Sequence, residues 1–558
     1  MSSVDILLGA KFRKDRIGSQ ASENERQILI VDDFSDMRLA VRRMLRELGE
    51  ENADFASNGK GAIEKIRHNA YDIVLCDYNL GDGKDGHQIL EEAHHMSLIK
   101  PSCIFIMITA ETERYRVLGA IECQPDDYIA KPFTKELLQL RIAKAIKKKE
   151  ELMDIYEAMF DKRYPDAIKI AEEKLVSKSR YTLDVAKLLG SFYLKTERYE
   201  KALEFFQKIV AQKYVPWAKF GLGQAYCHLK DYGKAAMVFD ELIAENQYYM
   251  DAYDWSAKCH LALKDRAQAQ EKLVTASKIS PKTISRQCEL GELAKENGEL
   301  DIAASAYRLA IQYGVHSCFK SAKEYLGMND VLLERGDTLK ALTNLKEARS
   351  QLKESAVDLL QVVTATADLH AGKGGKAEAN RFLGQAEKIY QENQGTVPDE
   401  VSLKLAETAL TLDDVQLGSA IVGSLAENNH DDEVLLGRLR AVGEKTGHGE
   451  ALSEMISKST EELRALNKEG IRLAESGQLK ESLELLERAS EKAPNSKAFN
   501  LNAALASIML MKKNGVDDQL LRKARHYLNR VERAGKADGR HAELTKMLKA
   551  LKGQPERE

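Results

Sequence analysis

Proline is scarce in this chain, with 9 residues in 558, and glycine contributes only 35. Both fractions are low for a globular protein, which argues against collagen-like, proline-rich and most all-β architectures and favours long helices with few breaks. Aromatic residues are also few, at 6%. A surplus of either charge is missing: 83 basic and 87 acidic residues leave a net charge of -4, so no global basic excess points to a nucleic-acid partner. Long apolar runs are missing too. The longest, Cys103 to Ala110, is far shorter than a membrane span and reads as a buried strand, so no membrane insertion is expected. The N-terminal MSSVDILLGAKFRKDR lacks an apolar core of signal-peptide length. The 7 cysteines are widely spaced and form no Cys-x-x-Cys pair, which fits reduced thiols and a cytoplasmic location better than a disulfide framework. What remains is a globular balance of 44% hydrophobic and 30% charged residues. The length alone suggests three or four domains.

Residues 1–26 are polar and unpatterned and read as a flexible arm. Beyond them, apolar strand-like runs occur at Gln27–Val31, Ile73–Cys76 and Ile104–Ile108, with weaker ones at 53–55 and Tyr128–Ala130. Helical patterns fall between, for example Met37–Leu48. Buried strands alternating with helices imply a parallel sheet covered on both faces. After residue 150 the strand signals fade and helical periodicity continues.

That helical part carries a ladder. The small residues Gly190, Gly223, Ala257 and Gly291 are 33, 34 and 34 apart. Each is followed by an alanine (Ala202, Ala235, Ala269, Ala303), then a larger residue (Phe206, Phe239, Leu273, Tyr307), then Ile209, Leu242, Ala276 or Ala310. In a helical hairpin the small residue lets the second helix approach the first, the alanine lets it nest, and the larger residue fills the gap. The pattern resembles the tetratricopeptide repeat, a helix–turn–helix unit of about 34 residues. It recurs with drift at Asn329, Ala341, Leu345 and Ala348, and at Gly470, Ser482, Leu486, Ala489 and Pro494; Tyr164, Ala167 and Ala171 suggest a partial repeat before it. Over 355–456 helices are expected without a fixed register, with a loop at Gln394–Glu400.

In the α/β part, strand one ends in Asp32-Asp33, strand three in Asp77, strand four in Thr109, and strand five is followed by Lys131-Pro132. Parallel sheets gather ligands at the carboxyl ends of their strands, so these side chains converge. Three crowded carboxylates repel unless a cation is present, and oxygen-only ligands suit a hard ion such as Mg²⁺. A hydroxyl and an ammonium beside them could hold phosphoryl oxygens.

The order VDD at 31–33, CDYNL at 76–80, Gly86, TA at 109–110 and DYIAKPF at 127–133 resembles the receiver domain of bacterial two-component response regulators. The resemblance covers about a fifth of the chain. It implies that Asp77 accepts a phosphoryl group from a sensor histidine kinase. It also implies that Asp32, Asp33, Asp77 and the Asn79 backbone carbonyl hold Mg²⁺, that Lys131 contacts the phosphoryl oxygens, that Thr109 and Tyr128 act as the switch, and that Lys131–Pro132 is cis. No resident cofactor besides Mg²⁺ is implied. The segment after Asp77 departs from the family in lacking Met-Pro, and Asn79 and Glu111 occupy the positions that tune phosphoryl lifetime; polar residues there predict a short-lived phosphate.

The expected architecture is therefore an α/β doubly wound, five-stranded parallel receiver domain followed by an all-α tetratricopeptide-like solenoid. The boundaries are an arm over 1–26, a receiver over 27–148, repeats over 149–354, degenerate helices over 355–456 and repeat-like helices over 457–552. The expected function is a response regulator of a phosphorelay, not an enzyme beyond its own phosphorylation. The solenoid would bind an unknown protein partner in its groove rather than DNA, and a homodimer is compatible with the family. A different class, an atypical enzyme within 355–456, would use Asp368, His370, Asp413, Asp414 and the cluster Asn429-His430-Asp431-Asp432. Three features have plainer readings. His94-His95 reads as a surface helix, Lys147–Lys149 as the solvated end of the last receiver helix, and Trp217, Tyr226 and Trp255 as packing residues. The stretch from Asp77 to Asp82 imitates the start of an EF-hand, but Asp82 and Gln88 stand where that loop needs Gly and Glu.

Overall fold

The computed structural model describes residues 26–110, 125–177 and 180–552. The expected arm, apart from Arg26, and Glu111 lie outside the described residues. The chain forms two compact units, Met1–Lys320 and Ser321–Glu558.

The first unit opens with β1 (Ile28–Val31), α1 (Ser35–Glu47), β2 (Ala53–Ala56), α2 (Gly59–His68), β3 (Ile73–Asp77), α3 (Gly86–His95), β4 (Ile104–Thr109) and β5 (Asp127–Ala130). The five strands pair in parallel in the order β2-β1-β3-β4-β5. Alternate residues feed two cores. Leu29, Val31, Val74, Cys76, Phe105 and Met107 pack on one face, and Ile28, Ile30, Ile73, Leu75, Ile104 and Ile106 on the other. Both faces are covered, so β1, β3 and β4 are buried at every position, which is why they read as unbroken apolar runs.

α4 (Lys135–Phe160) is one helix of 26 residues, so the boundary expected at 148/149 falls inside it. Lys147–Lys149 is therefore not a helix end. Lys149 pairs with Asp126 at 3.1 Å and donates to the Pro101 carbonyl at 3.0 Å, and Lys148 pairs with Asp184.

From α4 the chain continues as antiparallel helices: α5 (Tyr164–Val176), α6 (Thr182–Lys195), α7 (Tyr199–Gln212), α8 (Pro216–His228), α9 (Tyr232–Glu245), α10 (Met250–Ala262), α11 (Arg266–Ile279), α12 (Ile284–Glu296) and α13 (Leu300–Gly314). The ladder has the expected physical basis. A Cβ on Gly190 would stand 2.5 Å from Phe206, on Gly223 2.5 Å from Phe239, and on Gly291 2.8 Å from Tyr307. In each hairpin the ring of the second helix lies against the bare backbone of the first. Ala202, Ala235, Ala269 and Ala303 are fully buried. Trp217 packs on Phe206, and Trp255 is enclosed by Phe220, His228 and Phe239.

The second unit comprises α14 (Ala322–Glu334), α15 (Thr338–Gln351), α16 (Ala356–Gly372), α17 (Lys376–Glu392), α18 (Asp399–Thr411), α19 (Val415–Asn428), α20 (Glu433–Thr446), α21 (Gly449–Glu475), α22 (Leu479–Lys492), α23 (Lys497–Asn514), α24 (Asp518–Arg533) and α25 (Gly539–Lys552). The boundary expected at 456/457 falls within the 27-residue α21. The loop expected to Glu400 ends at Pro398, because its extended backbone starts α18 at Asp399. The rung near the C-terminus recurs, with Gly470 under Leu486 and the Ser482 hydroxyl donating to the Gly470 carbonyl at 2.7 Å. Among the described residues no helix is long and apolar enough to cross a membrane.

Candidate functional site

The parallel sheet delivers the sequence-singled carboxylates to one edge. β1 ends at Val31, and the next two residues are Asp32 and Asp33. Asp32 is buried, its Oδ1 accepts from the Phe34 N–H at 2.9 Å, and its carbonyl accepts from Arg38 at 2.6 Å. β3 ends on Asp77 itself, which is also buried. Their ligand atoms and one from Asp33 all lie within 4.8 Å of one another; among the described residues this is the one such group of three or more potential metal ligands.

Lys131 closes the pocket. Its Nζ donates to Asp32 Oδ2 at 2.8 Å and to Asp77 Oδ2 at 2.7 Å. Its position is set by the sheet, because the Lys131 N–H donates to the Thr109 carbonyl at 2.7 Å. The Lys131–Pro132 peptide is cis, as expected. Thr109 is buried and stands one residue past Ile108, the register partner of Asp77. Tyr128 pairs in register with Met107, and its half-buried ring packs on the core of that face.

Burial is the largest influence on Asp77 and pushes its carboxyl above the usual range, against the opposing pull of the Lys131 ammonium. Burial alone would depress Lys131, but its hydrogen bonds to Asp32 and Asp77 carry it above the ordinary lysine value. The pocket thus holds a charged ammonium between two carboxylates in a desolvated setting.

The loop after Asp77 is shaped by glycine. Gly81 and Gly83 adopt φ of 70° and 103°. Gly86 cannot carry a side chain, since a Cβ there would stand 2.3 Å from the Asp77 carbonyl. Gln88 lies in the first turn of α3, where it forms a capping box with Asp85, and not in a calcium loop. The Asn79 N–H approaches Asp77 Oδ1 at 3.5 Å.

The residues present suit a hard divalent cation. Asp33 Oδ1 is buried and has no hydrogen-bond partner, leaving a carboxylate oxygen beside the other two acids.

The alternative cluster in the second unit does not converge. His430 is fully buried with its ring stacked on Phe499 at 4.8 Å, while Asp432 caps α20 through the Val434 and Leu435 N–H groups. Asn429 accepts from Lys536 at 2.7 Å, and Asp414 caps α19. Asp413 pairs with Lys376, Asp368 with Lys404, and the His370 ring stacks on Phe382. His95 is exposed, yet its ring meets Phe319 at 4.9 Å. The sequence assigns no role to two further contributors: Arg38, which holds the Asp32 carbonyl, and Tyr78 within the CDYNL run, whose hydroxyl accepts from Lys282 at 3.4 Å.

Residues 28–143 match the family described as the response regulator receiver domain. Chemotaxis protein CheY-3 of Vibrio cholerae is 36% identical over 124 residues, which cover 21% of this chain and 89% of that protein. Chemotaxis protein CheY of Pseudomonas aeruginosa is 33% identical over 118 residues, covering 21% and 94%. Among solved structures, a CheY-like receiver domain protein from Methanospirillum hungatei is 25% identical, with a TM-score of 0.21 over 23% of this chain and 97% of that one. A tetratricopeptide repeat protein from Parabacteroides merdae is 14% identical, with a TM-score of 0.30 over 43% of this chain and 92% of that one. An acidic pocket at the carboxyl edge of a five-stranded parallel sheet, within residues that match the receiver family and are 36% and 33% identical to the two CheY proteins over most of their length, places the chain in the response regulator receiver family.

Proposed function

We propose that Asp77 accepts a phosphoryl group from a sensor histidine kinase and that the helical repeats carry the output by binding another protein. The observation that carries this reading is the Lys131 ammonium held at 2.8 and 2.7 Å between buried Asp32 and Asp77. Phosphoryl transfer asks the protein mainly for an in-line acceptor and for neutralisation of the phosphoryl oxygens. Asp77 is the acceptor because it ends β3 inside the pocket. Lys131 is placed to exchange a carboxylate for a phosphoryl oxygen. Asp32, Asp33, Asp77 and the Asn79 carbonyl would hold Mg²⁺, which when bound supplies further positive charge at those oxygens. Thr109 and Tyr128 are the switch pair, each fixed to β4 or its neighbour. The receiver spans about 27–148 and passes into the repeats within α4.

The output side is a protein-binding surface. In the second unit a groove of about 700 Å³ lies between α14, α16 and α18, lined by Leu326, Asn329, Leu333, Thr364, Ala365 and Val401. Its apolar floor is bordered by the charged side chains Asp330, Asp368, Lys373, Glu400 and Lys404, a lining that suits a protein segment carrying both apolar and charged residues, and solenoids offer such surfaces. A cytoplasmic protein without DNA contact is consistent with this output.

Labelling of the full chain with radioactive acetyl phosphate tests the acceptor. Mg²⁺-dependent, acid-stable and base-labile incorporation is expected, and Asp77→Asn should abolish it. Full incorporation in Asp77→Asn would sink the assignment.

A further inference from the structure

We infer that the repeats of the first unit are themselves a partner of the receiver: the surface formed by Tyr78, Asp85, Gln88 and His95 docks on Lys282, Tyr313 and Phe319, and this docking is coupled to the state of Asp77. The inference rests on Asp77 being the acceptor.

The contact has several independent parts. Lys282 Nζ donates to Asp85 Oδ2 at 3.1 Å and to the Tyr78 hydroxyl at 3.4 Å, and lies 5.0 Å from the centre of the Tyr78 ring. Gln88 Nε2 donates to the Tyr313 carbonyl at 3.1 Å. His95 meets Phe319 edge to face at 4.9 Å. Cys318 beside it has its thiol pushed up to about 11, first by burial and then by Glu91 and Glu92 of α3. Lys282 and Asp85 are 197 residues apart, and Gln88 and Tyr313 are 225 apart. Among the described residues the receiver thus meets the repeats through α4 at their start and again through this surface after α11.

The surface is not separable from the pocket. Tyr78 follows Asp77 directly and precedes Asn79. Its N–H donates to the Ile108 carbonyl at 2.8 Å, next to Thr109. Asp85 caps α3 with Oδ1 while offering Oδ2 to Lys282. Gln88 accepts from the Asp85 N–H with Oε1 while its Nε2 reaches Tyr313. Two side chains therefore both hold the helix after the acceptor loop and bind the repeats. A phosphoryl group adds nearly two negative charges one residue from Tyr78, so the loop and the docked surface cannot respond independently. At equilibrium, coupling of this kind is reciprocal: as much as phosphorylation favours or disfavours docking, docking favours or disfavours the phosphorylated state.

The test uses the full chain as wild type, Lys282→Glu, Phe319→Ala and the control Lys278→Glu, which reverses an exposed charge on α11 outside the contact. Initial rates of labelling by acetyl phosphate with Mg²⁺ are measured beside amide hydrogen exchange over 86–95. Lys282→Glu should speed exchange there and alter the labelling rate at least about fivefold, a typical lower bound for coupled sites. Phe319→Ala should act in the same direction, Lys278→Glu should match wild type, and labelling of wild type should itself alter exchange over 86–95. Rates for Lys282→Glu and Phe319→Ala within about twofold of wild type, or equal to the control, overturn the coupling and leave the acceptor assignment standing. Absence of label on Asp77 in wild type overturns both.

Discussion

Lys131 is the residue on which the pocket balances. Without its ammonium, Asp32 and Asp77 would face each other in a desolvated site. Lys131→Gln should therefore lower the labelling rate about 100-fold, the scale of losing one charge-stabilising donor. It should also cost about 3 kcal/mol of stability, because a buried pair is left half-made. Added Mg²⁺ should recover part of the lost unfolding midpoint, since a cation bound only by the folded state stabilises it by mass action. Thermal melts with and without Mg²⁺ check this; a variant as stable as wild type would contradict it. A second residue predicts pH dependence. His430 is buried against Phe499, and burial depresses its pKa, with Asp431 opposing and Arg464 adding to the effect. The folded chain resists a proton that the unfolded chain accepts below about pH 6.5. The contribution is therefore full above that pH and is lost as pH falls beneath it. His430→Phe should flatten the fall in unfolding midpoint between pH 7 and pH 5, read by circular dichroism.

At the scale of elements, glycine has two opposite roles in the same kind of helix. Gly223→Ala places a methyl 2.5 Å from Phe239 and should destabilise by about 1–2 kcal/mol, overpacking outweighing the gain in helix propensity. Gly384, exposed in the middle of α17 with nothing near its Cβ position, should become about 0.5–1 kcal/mol more stable as alanine. Chemical denaturation of the two variants distinguishes the roles. The same packing explains what was legible in the sequence. Strands buried on both faces give unbroken apolar runs, and acids at their ends mark the pocket edge. The ladder was legible wherever the small residue sits on the first helix and the ring on the second. It disappears in α18 and α19 because the roles are exchanged: Gly418 on the second helix receives Leu410 from the first, a Cβ there standing 2.5 Å from it. Helices of 17 residues in α16 and α17 also stretch the spacing. The Lys282 contact carries no local signal at all, since its partners are 197 and 204 residues away.

On the scale of the whole molecule, each compact unit has its own core. The second contains two clusters, one built on Leu405, Val422 and Leu436 and one on Leu486, Phe499 and Ile508. Its first helix keeps its own cap, because Ser321 and Glu324 form a capping box and the Ala322 N–H donates to Asp358 at 2.8 Å. A fragment of residues 321–558 should therefore fold alone, with a helical spectrum and a cooperative melt. A fragment lacking cooperative unfolding would show that these cores are not sufficient.

The return of the repeats to the receiver has a consequence for affinity. Because the helices from α4 to α11 join both sides of the Lys282 surface within one chain, the contact forms against an effective concentration set by that connection rather than a bulk one. An interaction too weak to detect between separated pieces is then well populated in the intact protein. It is also easily reversed: a bias of about 1–2 kcal/mol is enough to turn the population over when both arrangements start near balance. A modest ion pair, an edge-to-face ring contact and one amide hydrogen bond are of the right size for a latch that must open as readily as it closes.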